Sequence, residues 1–132
     1  MTHCLKYFKT DEDGIALLVD DDGRTCYAYL LDENGEIVGD CWLYNHGSAP
    51  VNNEWYDPKN MPFANTDTFV NSELMMEHEP IKSSKEVRVE WGQNGVDVFI
   101  RNQLFAHLRA GAKPGWSLLA AKDGPLARRL SG

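Results

Sequence analysis

The sequence predicts a β-dominated α+β fold in a single domain spanning residues 1–132. Short apolar runs alternate with polar residues, acidic turns ending in glycine separate these runs, and no long helical periodicity interrupts them. The hydrophobic content of 42% and the charged content of 25% are typical of a globular chain long enough to bury one core. We therefore expect antiparallel meanders that form one sheet or a partly open barrel, with short helical segments near the C-terminus.

Four strands are predicted within the first 44 residues, and the turns between them are the strongest signal. These turns end in Gly14, Gly23 and Gly35, where glycine supplies the positive φ that a tight reversal needs. Aspartates in the same turns can accept hydrogen bonds from their own backbone. The pattern favours a meander whose strands cover residues 5–9, 15–19, 25–31 and 36–44.

The next segment, residues 45–65, has three prolines, five asparagines and three aromatic residues but no sustained period. Long loops of this kind are often functional. Its aromatic residues are expected either to cover one edge of the core or to form an exposed patch that anchors a protein interface. Residues 66–80 fit either a helix capped by Asn65 or Thr66 or a short strand at Phe69 and Val70.

A second meander is predicted from the alternation of apolar and polar residues over 86–91, 96–101 and 104–109, although the last run could also begin a helix. Beyond it, Ser117 is a candidate cap for a helix over 118–121. Residues 126–130 would form a last helical turn.

The three cysteines, Cys4, Cys26 and Cys41, form no CxxC pair, and their odd number argues against a disulfide framework. Each lies in an apolar run, where a free cysteine packs as a small hydrophobic residue. We expect reduced core cysteines and a cytoplasmic location. The N-terminal residues lack a basic and then apolar pattern, so no secretory signal is predicted, and no apolar run is long enough to cross a membrane.

Catalytic and cofactor motifs are weak, and we expect no enzyme, no cofactor and no metal site. Cys41 and His46, with Asp40 nearby, are the residues a hydrolase would use, but neighbouring strand residues point to opposite faces. The acidic turns do not match the ligand spacing of an EF-hand, although a metal held between two turns stays an alternative. Glycine-rich phosphate loops and closely paired zinc ligands are lacking.

The acidic charge lies almost entirely in the first half of the chain. Residues 1–60 hold 12 acidic and 4 basic residues, whereas residues 61–132 hold 8 acidic and 9 basic residues. This field repels nucleic acids and anionic membranes and attracts a basic protein. The predicted partner-binding residues are the turn carboxylates and a loop cluster: Asp20, Asp21, Asp22, Asp32, Glu33, Asp40, Trp55, Tyr56 and Asp57.

Four stretches carry a resemblance to known proteins: residues 39–45 (GDCWLYN), 61–65 (MPFAN), 113–117 (KPGWS) and 122–127 (KDGPLA). They resemble small bacterial immunity proteins of polymorphic toxin systems. That resemblance implies a small, acidic, cytoplasmic protein that inhibits a cognate toxin by direct binding. Such proteins share no catalytic motif, so the resemblance assigns no role to any residue.

Two alternatives remain open from the sequence. One is a small-ligand module, in which the meanders form a cavity lined by Trp42, Tyr44 or Trp91. The other is the hydrolase that uses Cys41 and His46. The leading expectation is a non-enzymatic domain that binds a basic protein.

Overall fold

The computed structural model describes residues 4–9, 14–46, 49–52, 54, 59, 63–92 and 95–130, with the backbone alone for 4–9. Within these ranges the chain is β-dominated and forms two sheets. A four-stranded sheet has the order β1-β2-β3-β4, and a five-stranded sheet has the order β5-β6-β7-β8-β9.

The first sheet confirms the predicted N-terminal meander. Its strands all pair antiparallel with their sequence neighbours. Gly14, Gly23 and Gly35 have φ of 68°, 86° and 80°, as the turn pattern predicts. The strands are β1 (Cys4–Lys9), β2 (Ala16–Asp21), β3 (Thr25–Leu31) and β4 (Ile37–Asn45).

The second sheet begins with the other predicted meander and continues into the C-terminal tail. The helical alternative for residues 104–109 is wrong, because this run is β7 and pairs antiparallel with β6. The short strand β8 pairs antiparallel with β7, and β9 pairs parallel with β8. The strands are β5 (Val87–Gly92), β6 (Gly95–Ile100), β7 (Gln103–Leu108), β8 (Trp116–Ser117) and β9 (Arg128–Arg129).

The predicted helical segments near the C-terminus are wrong. The Leu118 amide donates to the Phe105 carbonyl at 2.7 Å, and the Leu130 amide donates to the Ser117 carbonyl at 3.2 Å. Helices of four or five residues are marginal because nucleation is costly, so these amides pair with other segments instead. In this part of the chain, hydrogen bonds to distant segments override a weak local preference for helix.

The expectation of one sheet or a partly open barrel is also corrected, because the two meanders form separate sheets. The outer edge of β4 is covered by the C-terminal chain, where the Gly111 amide donates to the Val38 carbonyl at 2.8 Å and the Gly115 amide to the Asp40 carbonyl at 2.6 Å. One hydrophobic cluster contains buried residues of both sheets, Trp42 and Leu108 among them. The sheets therefore share a core although each has its own hydrogen-bonded ladder.

Residues 66–80 combine the two structures that the sequence left open. A single 3-10 turn covers Asp67–Phe69, and Val70 then forms an isolated bridge with Ala120. The helix α1 (Ser72–Glu77) follows, and the Asn71 side chain caps it by accepting from the Leu74 amide at 3.2 Å. The helix is shorter than predicted and has Asn71 as its cap.

Cys26 and Cys41 are buried and unpaired, as expected of reduced core cysteines, and the Cys4 side chain lies outside the described residues. Burial raises the pKa of both thiols. A search of the described residues finds no helix with the length and apolar character needed to span a membrane.

Candidate functional site

The predicted acidic residues are divided between the two ends of the first sheet. Successive turns of an antiparallel meander lie at alternate ends, so the turn after β2 and the turn after β3 are separated by the length of β3. Asp22 belongs to the first of these turns, whereas Asp32 and Glu33 belong to the second. The six predicted carboxylates therefore do not form one continuous surface.

Two of them nevertheless share one face of the sheet with two tyrosines. Asp20 pairs with Tyr27 across β2 and β3, and Asp40 pairs with Tyr29 across β4 and β3. Directly opposed residues of an antiparallel pair share a face, so these four side chains lie on the same side of the sheet. We call this surface, formed by Asp20, Tyr27, Tyr29 and Asp40, the tyrosine face. Asp22 lies in the adjoining turn, where its Oδ1 accepts from the Arg24 and Thr25 amides, both at 2.8 Å.

The electrostatics of Tyr29 support this grouping. Burial is the main cause that raises the pKa of Tyr29 to about 12, and the negative charges of Asp20, Asp40 and Asp22 contribute to the same rise. The Tyr29 phenol therefore lies in the negative field of this part of the sheet. Tyr29 is only partly buried, so its ring is open to solvent as well as to the carboxylates.

Tyr27 and Tyr29 form a stacked pair, with ring centroids 5.8 Å apart and planes inclined by 8°. The two rings differ in exposure. Tyr27 is 7% exposed, and its hydroxyl donates to the Phe63 carbonyl at 2.5 Å, which ties the loop before α1 to this face. The fixed Tyr27 ring therefore holds the more exposed Tyr29 ring in place.

Asp40 has an unfavourable position for a charge. Half-burial raises the pKa of its carboxyl, and the nearby Lys113 ammonium only partly offsets that effect. A carboxylate held where its charge is poorly solvated gains most when a cation arrives, and such groups are common at binding sites. Asp40 therefore lies where a bound cation would favour the charged form of its carboxyl.

Asp21 points away from the tyrosine face into a hydrogen-bonded network. Its Oδ2 accepts from the Tyr44 hydroxyl at 2.5 Å, and its Oδ1 lies 2.6 Å from His46 Nε2 and accepts from the Gly23 amide. The Tyr44 hydroxyl in turn accepts from the Ile81 amide at 2.9 Å. With its side chain 7% exposed, Asp21 stabilises this network and offers little surface to the predicted partner.

Asp32 organises the far turn, where its Oδ1 accepts from the Asn34 and Glu36 amides, both at 2.9 Å. Glu33 is exposed beside it. This is the backbone role that the turn chemistry predicts, and it separates both residues from the tyrosine face. The predicted loop contacts Trp55, Tyr56 and Asp57 lie outside the described residues.

The alternative hydrolase site is not assembled. Cys41 is fully buried, its raised thiol pKa disfavours the nucleophilic thiolate, and its Sγ contacts the Trp42 carbonyl at 3.4 Å. His46 pairs with Asp21 instead. A nucleophile must be ionised or lie next to its base, and this pair meets neither condition.

The structure places the three residues of the alternative ligand cavity in two different surroundings. Trp42 and Tyr44 are completely buried in the core, whereas Trp91 borders a cleft of about 310 Å³ with Asp97 and His107. Groups of three or more metal-ligating side chains do not occur among the described residues.

Tyr27 and Tyr29 are not among the partner-binding residues predicted from the sequence, which places them only within a strand. The signal was present in the register of the predicted meander. Pairing β2 with β3 and β3 with β4 about their glycine turns places an aspartate opposite each tyrosine. A carboxylate opposite an aromatic residue on a partly exposed face is a cation-binding pattern that pairing alone can reveal.

In comparisons with known proteins, no family model, curated protein or solved structure matches the chain. The chemistry of the tyrosine face indicates what it can bind. An aromatic ring attracts a guanidinium or ammonium group over its face, and neighbouring carboxylates accept hydrogen bonds from the same cation. Arginine and lysine side chains of another protein have both properties.

Proposed function

We propose that this chain is a non-enzymatic protein-binding domain whose partner is a basic protein. The single observation that carries the proposal is the placement of Asp20 and Asp40 on the same face of the sheet as the half-buried Tyr29. An arginine of the partner would stack on Tyr29 and form charged hydrogen bonds with Asp20 or Asp40. The net charge of −7 would speed the encounter at low ionic strength.

The biological role we propose is that of a cytoplasmic immunity protein, which neutralises a cognate bacterial toxin by occluding its active surface. The resemblance of four sequence stretches to such proteins supports this role, as does the acidic charge. Nucleic acids and anionic membranes are poor partners for the same field, because phosphate groups are repelled by the carboxylates.

The test compares two double variants with the same change in charge. Asp20→Asn with Asp40→Asn removes two carboxylates from the tyrosine face, whereas Asp32→Asn with Glu33→Gln removes two from the opposite end of the sheet. Each protein is co-expressed with the toxin that the proposed role expects a neighbouring gene to encode, and its affinity for that toxin is measured by calorimetry. We expect the first variant to bind about 10- to 100-fold more weakly and to lose protection of the cells.

The far-end variant should keep its affinity within about threefold at physiological salt, because exposed charges beyond the Debye length of roughly 8 Å are screened. Equal losses in both variants would show that only net charge matters. Full protection by the tyrosine-face variant would refute the proposed site, and the absence of binding by the unchanged protein would refute the proposed role.

A further inference from the structure

A second concave site lies on the other sheet and shares no residue with the tyrosine face. It is a cleft of about 410 Å³ between α1 on one side, β6 and β7 on another, and the chain that follows β8. Small-molecule sites commonly have volumes of roughly 300–1,000 Å³ and combine an apolar lining with a few polar groups. The cleft has both components.

The lining of the cleft is largely apolar. Ile100 and Phe105 come from the second sheet, and Leu118 and Leu119 come from the segment after β8. Leu74 of α1 also lines the cleft, and 36% of its surface is exposed to solvent. No residue of α1 is buried, so the helix leaves apolar surface that a bound molecule could cover.

The polar groups at the rim leave an excess of negative charge. Glu77 and Glu79 are both exposed carboxylates at this rim. Arg101 also lines the cleft, but its Nε lies 2.9 Å from Glu86 Oε1 and its Nη2 donates to the Glu79 and Pro80 carbonyls. The guanidinium is thus already neutralised and largely satisfied.

Lys82 is the other nearby cation, 3.8 Å from the Glu79 carboxylate. Both side chains of that pair are more than 70% exposed, so water and salt weaken it. The Glu79 carboxylate therefore remains able to attract a second cation. Glu77 and Glu79 together make the rim of the cleft negatively charged.

His78 adds aromatic surface without adding positive charge. Its ring centroid lies 4.6 Å from that of Tyr44 and 5.1 Å from that of Phe105. Burial lowers the pKa of His78 to about 4, and the Arg101 charge contributes, so the ring is neutral at pH 7. Its buried Nε2 has no hydrogen-bond partner among the described residues.

We propose that this cleft binds an organic cation, a molecule with an aromatic or branched apolar body and one ammonium group. The body packs against Phe105, Leu118 and Leu74, and the ammonium lies between the carboxylates of Glu77 and Glu79. This activity is separate from the capture of a basic protein and does not depend on it.

Phenethylammonium is the first probe, because its ring and ethyl chain fit the volume of the cleft. Two matched compounds carry the same ring, the neutral 2-phenylethanol and the anionic 3-phenylpropanoate. Methyl NMR spectra of the full chain are recorded during titration with each compound. We expect saturable shifts of the Leu74, Leu118 and Leu119 methyl groups with a Kd on the order of 1 mM for the cation, and weaker binding of the other two.

Variants test separately how the carboxylates and the apolar cavity contribute to binding. Glu77→Gln with Glu79→Gln should weaken binding of phenethylammonium about 3- to 10-fold, because two exposed carboxylates are lost. A control on the same helix is Glu73→Gln, which removes one exposed carboxylate that does not line the cleft. Gln103→Trp should fill the cleft and abolish the methyl shifts.

Tighter or equal binding of 3-phenylpropanoate would overturn the proposal, as would shifts centred outside the cleft. Unchanged binding in the Glu77 and Glu79 double variant would overturn the role of the carboxylates. The probe series on the unchanged protein decides the question even if Gln103→Trp fails to fold. Because these measurements use no protein partner, their failure leaves the proposed binding of a basic protein unaffected.

Discussion

At the scale of single residues, the acidic side chains have three different functions. Asp32 caps a turn, Asp21 is held by Tyr44 and His46, and Asp40 lies half-buried with a raised pKa. The sequence predicted the turn role because aspartate commonly bonds to the backbone two residues on. The sequence could not distinguish the roles of Asp21 and Asp40, because the face on which a strand residue lies depends on the exact register.

A stability measurement can show that the Asp40 charge is unfavourable. The folded state raises the pKa of this carboxyl, so the folded state binds a proton more readily than the unfolded state, and stability is lost as the pH rises above about 3.8. Asp40→Asn removes this penalty. We expect the variant to melt about 1–2 °C higher than the unchanged protein at pH 7.

That difference should shrink at pH 4, where protonation relieves the same penalty in the unchanged protein. Thermal melts at both pH values measure it, with Asp32→Asn as the control. A lower melting temperature for Asp40→Asn at pH 7 would contradict the proposed desolvation. A variant that is more stable but binds its partner more weakly is the pattern expected of a site residue.

At the scale of elements, the two meanders were predictable because apolar and polar residues alternate within most strands. The turns between them are marked by glycine, aspartate and asparagine. The β6–β7 connection is the most demanding of these turns. Arg101 and Asn102 have φ of 51° and 66°, and both central residues of a type I′ turn need positive φ. Asparagine tolerates this conformation, whereas a β-branched residue does not.

Replacing Asn102 with valine should therefore lower the free energy of unfolding by about 1 kcal/mol, since the valine Cβ is strained at positive φ. Urea denaturation measures the change. Gln103→Val is the matched control, because Gln103 is the first residue of β7 and extended backbone suits valine. A loss in the control as large as that in Asn102→Val would show that the turn conformation is not the cause.

At the scale of the whole molecule, the two sheets are joined where the C-terminal chain covers the edge of β4. Gly115 lies at this junction, and its amide donates to the Asp40 carbonyl while its carbonyl accepts from the Arg128 amide at 2.8 Å. A Cβ at Gly115 would lie 2.6 Å from the His107 carbonyl oxygen and 3.4 Å from Cys41 Cβ. No side chain fits there without moving a strand.

Gly115→Ala should consequently lower the free energy of unfolding by about 2 kcal/mol, because the backbone must shift to admit the methyl group. Gly92→Ala is the control, since among the described residues its added Cβ would meet nothing nearer than the Gly95 carbonyl oxygen at 3.8 Å. We expect that control to change stability by less than about 0.5 kcal/mol. Guanidinium titrations followed by tryptophan fluorescence and circular dichroism measure both.

The same titrations test the expectation of a single domain. A core shared by both sheets predicts that the two signals change together in one transition. Two separate transitions would show that the sheets unfold independently, and an unaltered midpoint in Gly115→Ala would show that the junction is not closely packed.

The sequence by itself determined the strands of the first meander, the first two strands of the second, the glycine turns and the acidic character of the first half, because each depends on neighbouring residues. Only the tertiary structure decided that the tail forms strands, that the meanders separate into two sheets, and which aspartates meet Tyr29. These outcomes depend on hydrogen bonds and contacts between residues far apart in the chain. Local propensity carries no information about such contacts until the register of each strand is known.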